Sequence, residues 1–374
     1  MTTKTPVDPN GLMEFSVVFT DRSLNHMSKS FQGVMTDISS MLGEVYSADE
    51  VALVPGGGTF AMEAVARQFG GGAHALIVRN GWFSYRWSQI FEAGNFAAKT
   101  TVMKARQAGN DTRAPFAPAP IEDVVAAIRE AKPDVVFAPH VETSAGMILP
   151  DDYLKAMSDA AHEVGALLVL DCIASGCIWV DMKATGVDVL ISAPQKGWSA
   201  TPSAGLVMMS ARAAARLAET TSDSFSMDLK KWRAIMVAYE EGGHAYHLTM
   251  PTDGLRAFRD TMAETKDYGF EKLKAAQWDL GRKVRAILEA KGIKSVAAEG
   301  FQAPGVVVSY TDDPAVQNGS AFVAKGMQIA AGVPLQCDEP ADFRTFRLGL
   351  FGLDKLYDVD GTVGRLTPVL DAVL

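Results

Sequence analysis

The stretch Ile191-Ser192-Ala193-Pro194-Gln195-Lys196-Gly197-Trp198-Ser199-Ala200-Thr201-Pro202-Ser203-Ala204-Gly205 carries a single charge, on Lys196. It follows the apolar run Val187-Asp188-Val189-Leu190 and leads into Leu206-Val207-Met208-Met209. A lysine between two buried segments either snorkels its amine to water or keeps it dry. Here the neighbours are apolar, small or turn-forming, and no acidic residue stands near it in sequence. A desolvated ammonium gives up its proton more readily, and the neutral amine is the nucleophile that attacks an aldehyde. The stretch therefore reads as strand, loop, strand, with an amine waiting at the strand ends.

Outward from it, short apolar runs alternate with helical periodicity between about residues 50 and 210. Val51–Val54 reads as a strand, ended by Pro55-Gly56-Gly57-Gly58, with a helix over Thr59–Phe69 closed by Gly70. Further strands are expected at Ala75–Val78, Val135–Ala138, Ala166–Leu170, Val187–Ser192 and Gly205–Met209. Ile121–Lys132 reads as a helix that Pro133 stops. Asp151–Val164 reads as another, capped by Asp151 or Asp152 and stopped by Gly165. Continuous apolar strands between helices predict an α/β fold whose mostly parallel sheet is covered on both faces. Ligands of such sheets bind at the carboxyl ends of the strands. After about residue 260 the pattern changes. Thr261–Lys291 reads as one long helix leaving the large domain. A small α+β unit follows, with strands near Gly305–Tyr310 and Thr345–Leu348. The domains expected are an N-terminal arm over 1–30, a large domain over 31–262 and a small one over 263–374.

The 374 residues are 48% hydrophobic and 21% charged, ample for a large core. The net charge of −9 gives no bulk attraction to nucleic acid or anionic lipid. Three cysteines, Cys172, Cys177 and Cys337, fit neither a zinc site nor a redox pair, so no metal is expected and a reducing cytoplasm is. The opening MTTKTPVDPNGLMEF has no apolar core of a secretory signal, and no run is long enough to span a bilayer.

Two more groups fall at strand ends. Gly56-Gly57-Gly58-Thr59 marks a strand-to-helix turn. Its amides and hydroxyl suit a phosphate, aided by the helix dipole, although a tight turn alone also explains the glycines. Asp171 follows Leu167-Leu168-Val169-Leu170. A carboxylate there is costly unless paired. It either caps a turn or faces a protonated ring nitrogen, as a pyridoxal phosphate site requires. The order of parts, phosphate turn, then Asp171, then Lys196, is far more specific than any one of them.

Seven motifs in order carry a resemblance: GGGTFAMEA (56–64), NGWFSYRW (80–87), HVETSAG (140–146), DCIAS (171–175), QKG (195–197), YHLTMPT (246–252) and FRLGLFG (346–352). The chain resembles the class V aminotransferases of fold type I, in particular the alanine–glyoxylate and serine–pyruvate branch. The resemblance implies a seven-stranded, mostly parallel sheet with a smaller C-terminal α+β domain. It implies pyridoxal 5′-phosphate bound to Lys196 as a Schiff base, with Asp171 against the pyridinium nitrogen. Phe83 and Ile173 would take the two ring faces and Thr143 the phenolic oxygen. Gly57, Gly58, Thr59 and Gln195 would hold the phosphate. Trp82 and Tyr85 are left to core packing. Arg347 would clamp the substrate carboxylate, with Arg344 competing for the role. Tyr246 and Thr249 would reach the neighbouring subunit's cofactor, so a homodimer with shared active sites is implied. The reaction implied is a ping-pong transamination, with alanine or serine as donor and glyoxylate or pyruvate as acceptor. The family's Gly-Pro-rich opening signature is missing from Met13–Phe31, where Arg22, Asn25 and His26 are candidates for the pocket.

Two rivals are weaker. Gly56-x-Gly58-x-x-Ala61 also spells a dinucleotide fingerprint, but Arg79-Asn80 stands where a ribose-binding acid belongs. A desulfurase of the same fold would place a histidine before the lysine, where this chain has Gln195.

Overall fold

The computed structural model describes residues 7–374, so the first six residues of the expected arm lie outside it. Seven strands form the main sheet: β1 (Glu50–Pro55), β2 (His74–Arg79), β3 (Lys99–Lys104), β4 (Val135–Pro139), β5 (Leu167–Asp171), β6 (Val189–Ser192) and β7 (Ala204–Met209). Their spatial order is β1-β7-β6-β5-β4-β2-β3. Only β7 runs against its neighbours. The other pairings are parallel. Every residue of β4, β5, β6 and β7 is buried. Successive residues point to opposite faces, so both faces of the sheet are covered. The edge strand β3, KTTVMK, is the polar exception and ends the sheet with lysines.

This topology gathers the chemistry at one edge. The turn after β1, the loops after β2, β4 and β5, and the β6–β7 connection all leave the same side. The antiparallel pairing of Val54 with Gly205 and Pro55 with Ala204 brings the end of the lysine loop beside the glycine turn. There α2 (Gly58–Gly70) crosses β7 closely. A Cβ at Gly205 would run into the Ala61 Cβ and stand 2.8 Å from the Gly57 carbonyl oxygen. Helix α1 (Lys29–Tyr46), capped by the Ser28 side chain, buries Phe31, Val34, Met35 and Ile38. Helix α3 (Trp82–Gly94) follows β2.

Two expectations need correction. Thr261–Lys291 is not one helix. It is two, Thr252–Tyr268 and Phe270–Ala290, broken at Gly269. Gly269 sits at φ +108°, a conformation that interrupts a helix and that glycine adopts without a Cβ penalty. The expected boundary at 262 falls within the first of these helices. Nor do Asp151 or Asp152 cap the helix Asp151–Glu163. Pro150 occupies the cap position, and the Asp152 carboxylate accepts only from the Tyr153 amide at 2.8 Å. Both acids lie in the first turn, where they favour the helix dipole. Gly165 does supply the left-handed stop, at φ +84°.

The second sheet has three antiparallel strands, β8 (Val306–Tyr310), β9 (Ala330–Ala331) and β10 (Thr345–Gly349), with β10 in the middle. Arg347 lies on β10, opposite Val308 and Ala330. Among the described residues no helix is long and apolar enough to cross a membrane.

The α2–β7 crossing generates a prediction. Gly205→Ala should lower stability by about 1–3 kcal/mol, because the added methyl meets backbone and a helix methyl that cannot both move. Urea unfolding should show a lower midpoint at unchanged slope; a midpoint equal to that of the native chain would show that the crossing is loose.

Candidate active site

Lys196 is fixed by its neighbours. Trp198 is 1% exposed and packs on Trp179, with ring centroids 4.8 Å apart, and edge-on to Phe258 and Phe270. A Cβ at Gly197 would overlap the Gly176 carbonyl, so the loop crosses another strand of backbone there. Ser199 turns left-handed at φ +56°, and its amide donates to the Lys196 carbonyl at 3.0 Å. The Leu353 amide donates to Ser199 Oγ at 3.1 Å. The lysine side chain is half-buried, with Nζ 5.4 Å from the centroid of Phe351. Burial pushes its pKa down, and the nearby charges that act on it, Arg347 and Arg86, push the same way.

Asp171 ends β5 and is buried. One backbone amide reaches it, from Ile173 to Oδ1 at 2.9 Å. Desolvation dominates, so its carboxyl is pushed up from 3.8 to about 7, with Glu142 adding repulsion and Arg86 partly offsetting it. Below it, His140 donates its backbone amide to the Asp171 carbonyl at 2.8 Å and shares a 2.7 Å hydrogen bond through Nδ1 with Ser175 Oγ. Burial lowers the His140 pKa to about 3, so this imidazole is neutral.

The glycine turn meets this loop. Gly56 takes φ +120°, and Gly57 caps α2 with no side-chain hydrogen bond and no acid in the first turn. The first amides of that helix lack intrahelical partners. A Cβ on Gly58 would crowd the Ile173 side chain, with Cγ1 2.8 Å away, so Ile173 and the turn are in contact. Thr59 is exposed at the first turn.

The start of α3 is held by a residue that the sequence reading passed over. The buried Glu142 carboxylate accepts from the Phe83 amide at 3.1 Å, the Ser84 amide at 2.9 Å and Ser84 Oγ at 2.7 Å. It also accepts from the Ser144 amide at 3.1 Å and Ser144 Oγ at 2.7 Å. Thr143 sits between these two anchors, so its loop and Phe83 are set by one carboxylate. The core aromatic of α3 is not Trp82 or Tyr85. Those are half-buried, and Tyr85 carries the Arg79 guanidinium 4.6 Å from its centroid. Trp87 fills the core instead, 4.5 Å from Phe137, because the helix turns that face to the sheet.

Phe83 has two guanidinium neighbours, Arg86 at 4.7 Å and Arg347 at 5.5 Å from its centroid. Arg86 also donates from Nη1 to Thr59 Oγ1 at 3.2 Å. Its signal in the sequence was the i, i+3 spacing from Phe83, which puts both on one helix face. Arg347 donates from Nε to the Ala331 carbonyl at 2.8 Å, and burial lowers its pKa. Arg344 donates to the Asp312 carbonyl at 2.6 Å and takes no part in this group. Gln195 is exposed beside Lys196. Tyr246 and Thr249 are not drawn into the cluster by any hydrogen bond among the described residues. They share a 3.2 Å hydrogen bond with each other, and Tyr246, 57% exposed, packs on the buried His26 at 5.5 Å. Asn25 is bonded to Glu14.

The profile of the family described as "Aminotransferase class-V" matches residues 15–334. The chain is 27% identical over 359 residues to a 2-aminoethylphosphonate–pyruvate transaminase of Paraburkholderia phymatum, covering 92% of this chain and 89% of the relative. It is 24% identical over 351 residues to a protein of Synechococcus named soluble hydrogenase, small subunit, covering 93% and 87%. Among solved structures, an alanine–glyoxylate aminotransferase from Nostoc superposes with a TM-score of 0.76 at 23% identity, covering 94% of this chain and 89% of that one.

The Asp171 environment generates a pH prediction for chain freed of small ligands. The unfolded carboxyl ionises near 3.8 and the folded one near 7, so the folded state loses relative stability as pH rises through that window. Asp171→Asn removes the effect. Its stability relative to the native chain should rise between pH 4 and 7 by on the order of 2–4 kcal/mol and then level off. A stability difference that stays constant with pH in urea titrations would contradict this.

Proposed function

This chain belongs to the class V aminotransferase family, and we propose that it moves an amino group from a small amino acid, alanine or serine, to pyruvate or glyoxylate with pyridoxal 5′-phosphate as cofactor. The observation that carries the reading is a half-buried amine and a buried carboxyl whose charges are both disfavoured, Lys196 pushed down and Asp171 pushed up. An aldehyde carbon answers the first, and a cationic ring nitrogen answers the second. The uncapped glycine turn suits the phosphate.

Bound pyridoxal phosphate supplies an aldehyde for the amino group and a ring that draws electrons from the substrate Cα. Gly57, Gly58, Thr59 and Gln195 would hold its phosphate, Thr143 its phenolic oxygen, and Phe83 and Ile173 its two faces. Asp171 would sit opposite the ring nitrogen, whose positive charge returns the carboxyl to its ionised form. Lys196 would hold the cofactor covalently, and its amine, when free and neutral, would take the substrate Cα proton as a base and give it up again as an acid. Arg347, with Nε tied to Ala331, would orient the substrate carboxylate through its planar donors. The charge of a bound anion would also offset the desolvation that lowers its pKa.

Tyr246 and Thr249, exposed on this protomer, would complete the phosphate site of a second copy, giving a homodimer with shared active sites. Three free, buried cysteines fit a reducing compartment such as the cytoplasm. No nucleic acid or membrane enters this reading. A second donor has its own support: the Paraburkholderia relative is named for 2-aminoethylphosphonate, with pyruvate again as acceptor.

Borohydride treatment of chain incubated with pyridoxal phosphate should fix one cofactor mass on the peptide bearing Lys196, and none on Lys196→Ala, whose turnover should fall at least about a thousandfold. Label on another lysine, or near-native turnover in the variant, would refute the assignment. In half-reactions followed by the visible band, alanine or serine should bleach the chromophore. Bleaching by 2-aminoethylphosphonate alone would instead assign the phosphonate as donor.

A further inference from the structure

The glycine turn offers backbone amides and one hydroxyl, and none of these carries a formal charge. A phosphate brings nearly two negative charges. Among the described residues, the charged side chain hydrogen-bonded to this turn is Arg86, whose Nη1 donates to Thr59 Oγ1 at 3.2 Å. The same guanidinium lies 4.7 Å from the centroid of Phe83. It makes no ion pair among the described residues, although surface arginines of this chain commonly do, as Arg129 does with Glu163 and Arg106 with Asp123. A half-buried guanidinium that rests on a hydroxyl and a ring, with no carboxylate in ion-pair contact among the described residues, keeps its charge available to an incoming anion.

The placement has a structural cause. Arg86 and Phe83 share one face of α3, and the start of that helix is fixed by the Glu142 carboxylate through the Phe83 and Ser84 amides. One rigid helix turn thus delivers a cation to the phosphate turn and an aromatic ring to the neighbouring space. Thr59 is exposed in the first turn of α2. The hydrogen bond from Arg86 selects its hydroxyl orientation and leaves the oxygen's own proton free to be donated elsewhere.

We propose that Arg86 is a positioning residue for the anionic end of the cofactor: it fixes the Thr59 hydroxyl and supplies the phosphate turn with its formal positive charge. The inference rests on the pyridoxal phosphate reading above. A purely structural clip between α3 and α2 is the competing account, and the two differ in what they do to a ligand without a phosphate.

The test compares pyridoxal 5′-phosphate with pyridoxal, titrated into full-length chain and followed by the visible band. In Arg86→Gln the affinity for pyridoxal phosphate should fall by about tenfold or more, while that for pyridoxal stays within about twofold. Arg86→Lys, which keeps the charge but not the planar stack, should recover part of the loss. Thr59→Ala should weaken pyridoxal phosphate binding by less in the Arg86→Gln background than in the native one, because the two residues act together. Equal weakening of both aldehydes, or no change in either, would overturn the proposal. Failure of the native chain to develop any band with pyridoxal phosphate would instead remove the functional reading on which it rests.

Discussion

The site depends on keeping the Lys196 amine partly shielded from water while two guanidinium groups stand near it. Holding a charged amine in that position costs folding free energy, because desolvation and both guanidinium groups disfavour its charge. The loop can bear this because its anchor is large. Burying the Trp198 side chain among Trp179, Phe258 and Phe270 contributes roughly 4–6 kcal/mol by apolar area. The Gly197–Gly176 crossing and the left-handed Ser199 then remove the freedom by which the lysine would turn outward. Packing at residue 198 thus sustains an electrostatic imbalance at residue 196.

Asp171 carries a second imbalance. Asp171 is held with one amide donor at the end of a fully buried strand, and the repulsion from Glu142 outweighs the pull of Arg86. Glu142 is itself satisfied by five donors, and its task is architectural: it joins the Thr143 loop to the head of α3. Buried networks of this kind specify geometry when every member is satisfied. Two carboxylates a short way apart therefore do different work, one saturated and structural, the other left wanting a cation.

Six of the seven strands were legible because they are largely apolar runs between glycine, proline and helical periodicity, whereas the polar edge strand β3, KTTVMK, gives no such run and was not expected. Lys196, Asp171 and the glycine turn were legible because each is an anomaly against an apolar background. Arg347 was separable from Arg344 only by motif; in the structure Arg344 donates to the Asp312 carbonyl, whereas Arg347 lies 5.5 Å from the centroid of Phe83. Less legible were features set by three-dimensional neighbours. Gly269 looks like a tolerable glycine inside a periodic segment until its positive φ splits the helix. Trp87 and Trp82 are alike in sequence, and only the phase of α3 against the sheet chooses which is core. Glu142 and Arg86 act through partners, Ser84 and Thr59, that are distant in the chain and meet them only once folded.

The central claim is that burial and two arginines leave the Lys196 amine neutral more readily than the surface lysines. Acylation of ligand-free chain across pH, quantified lysine by lysine by mass spectrometry, measures this directly. Lys196 should reach half-maximal reactivity at a lower pH than the exposed lysines. A midpoint equal to theirs, or above it, would contradict the account.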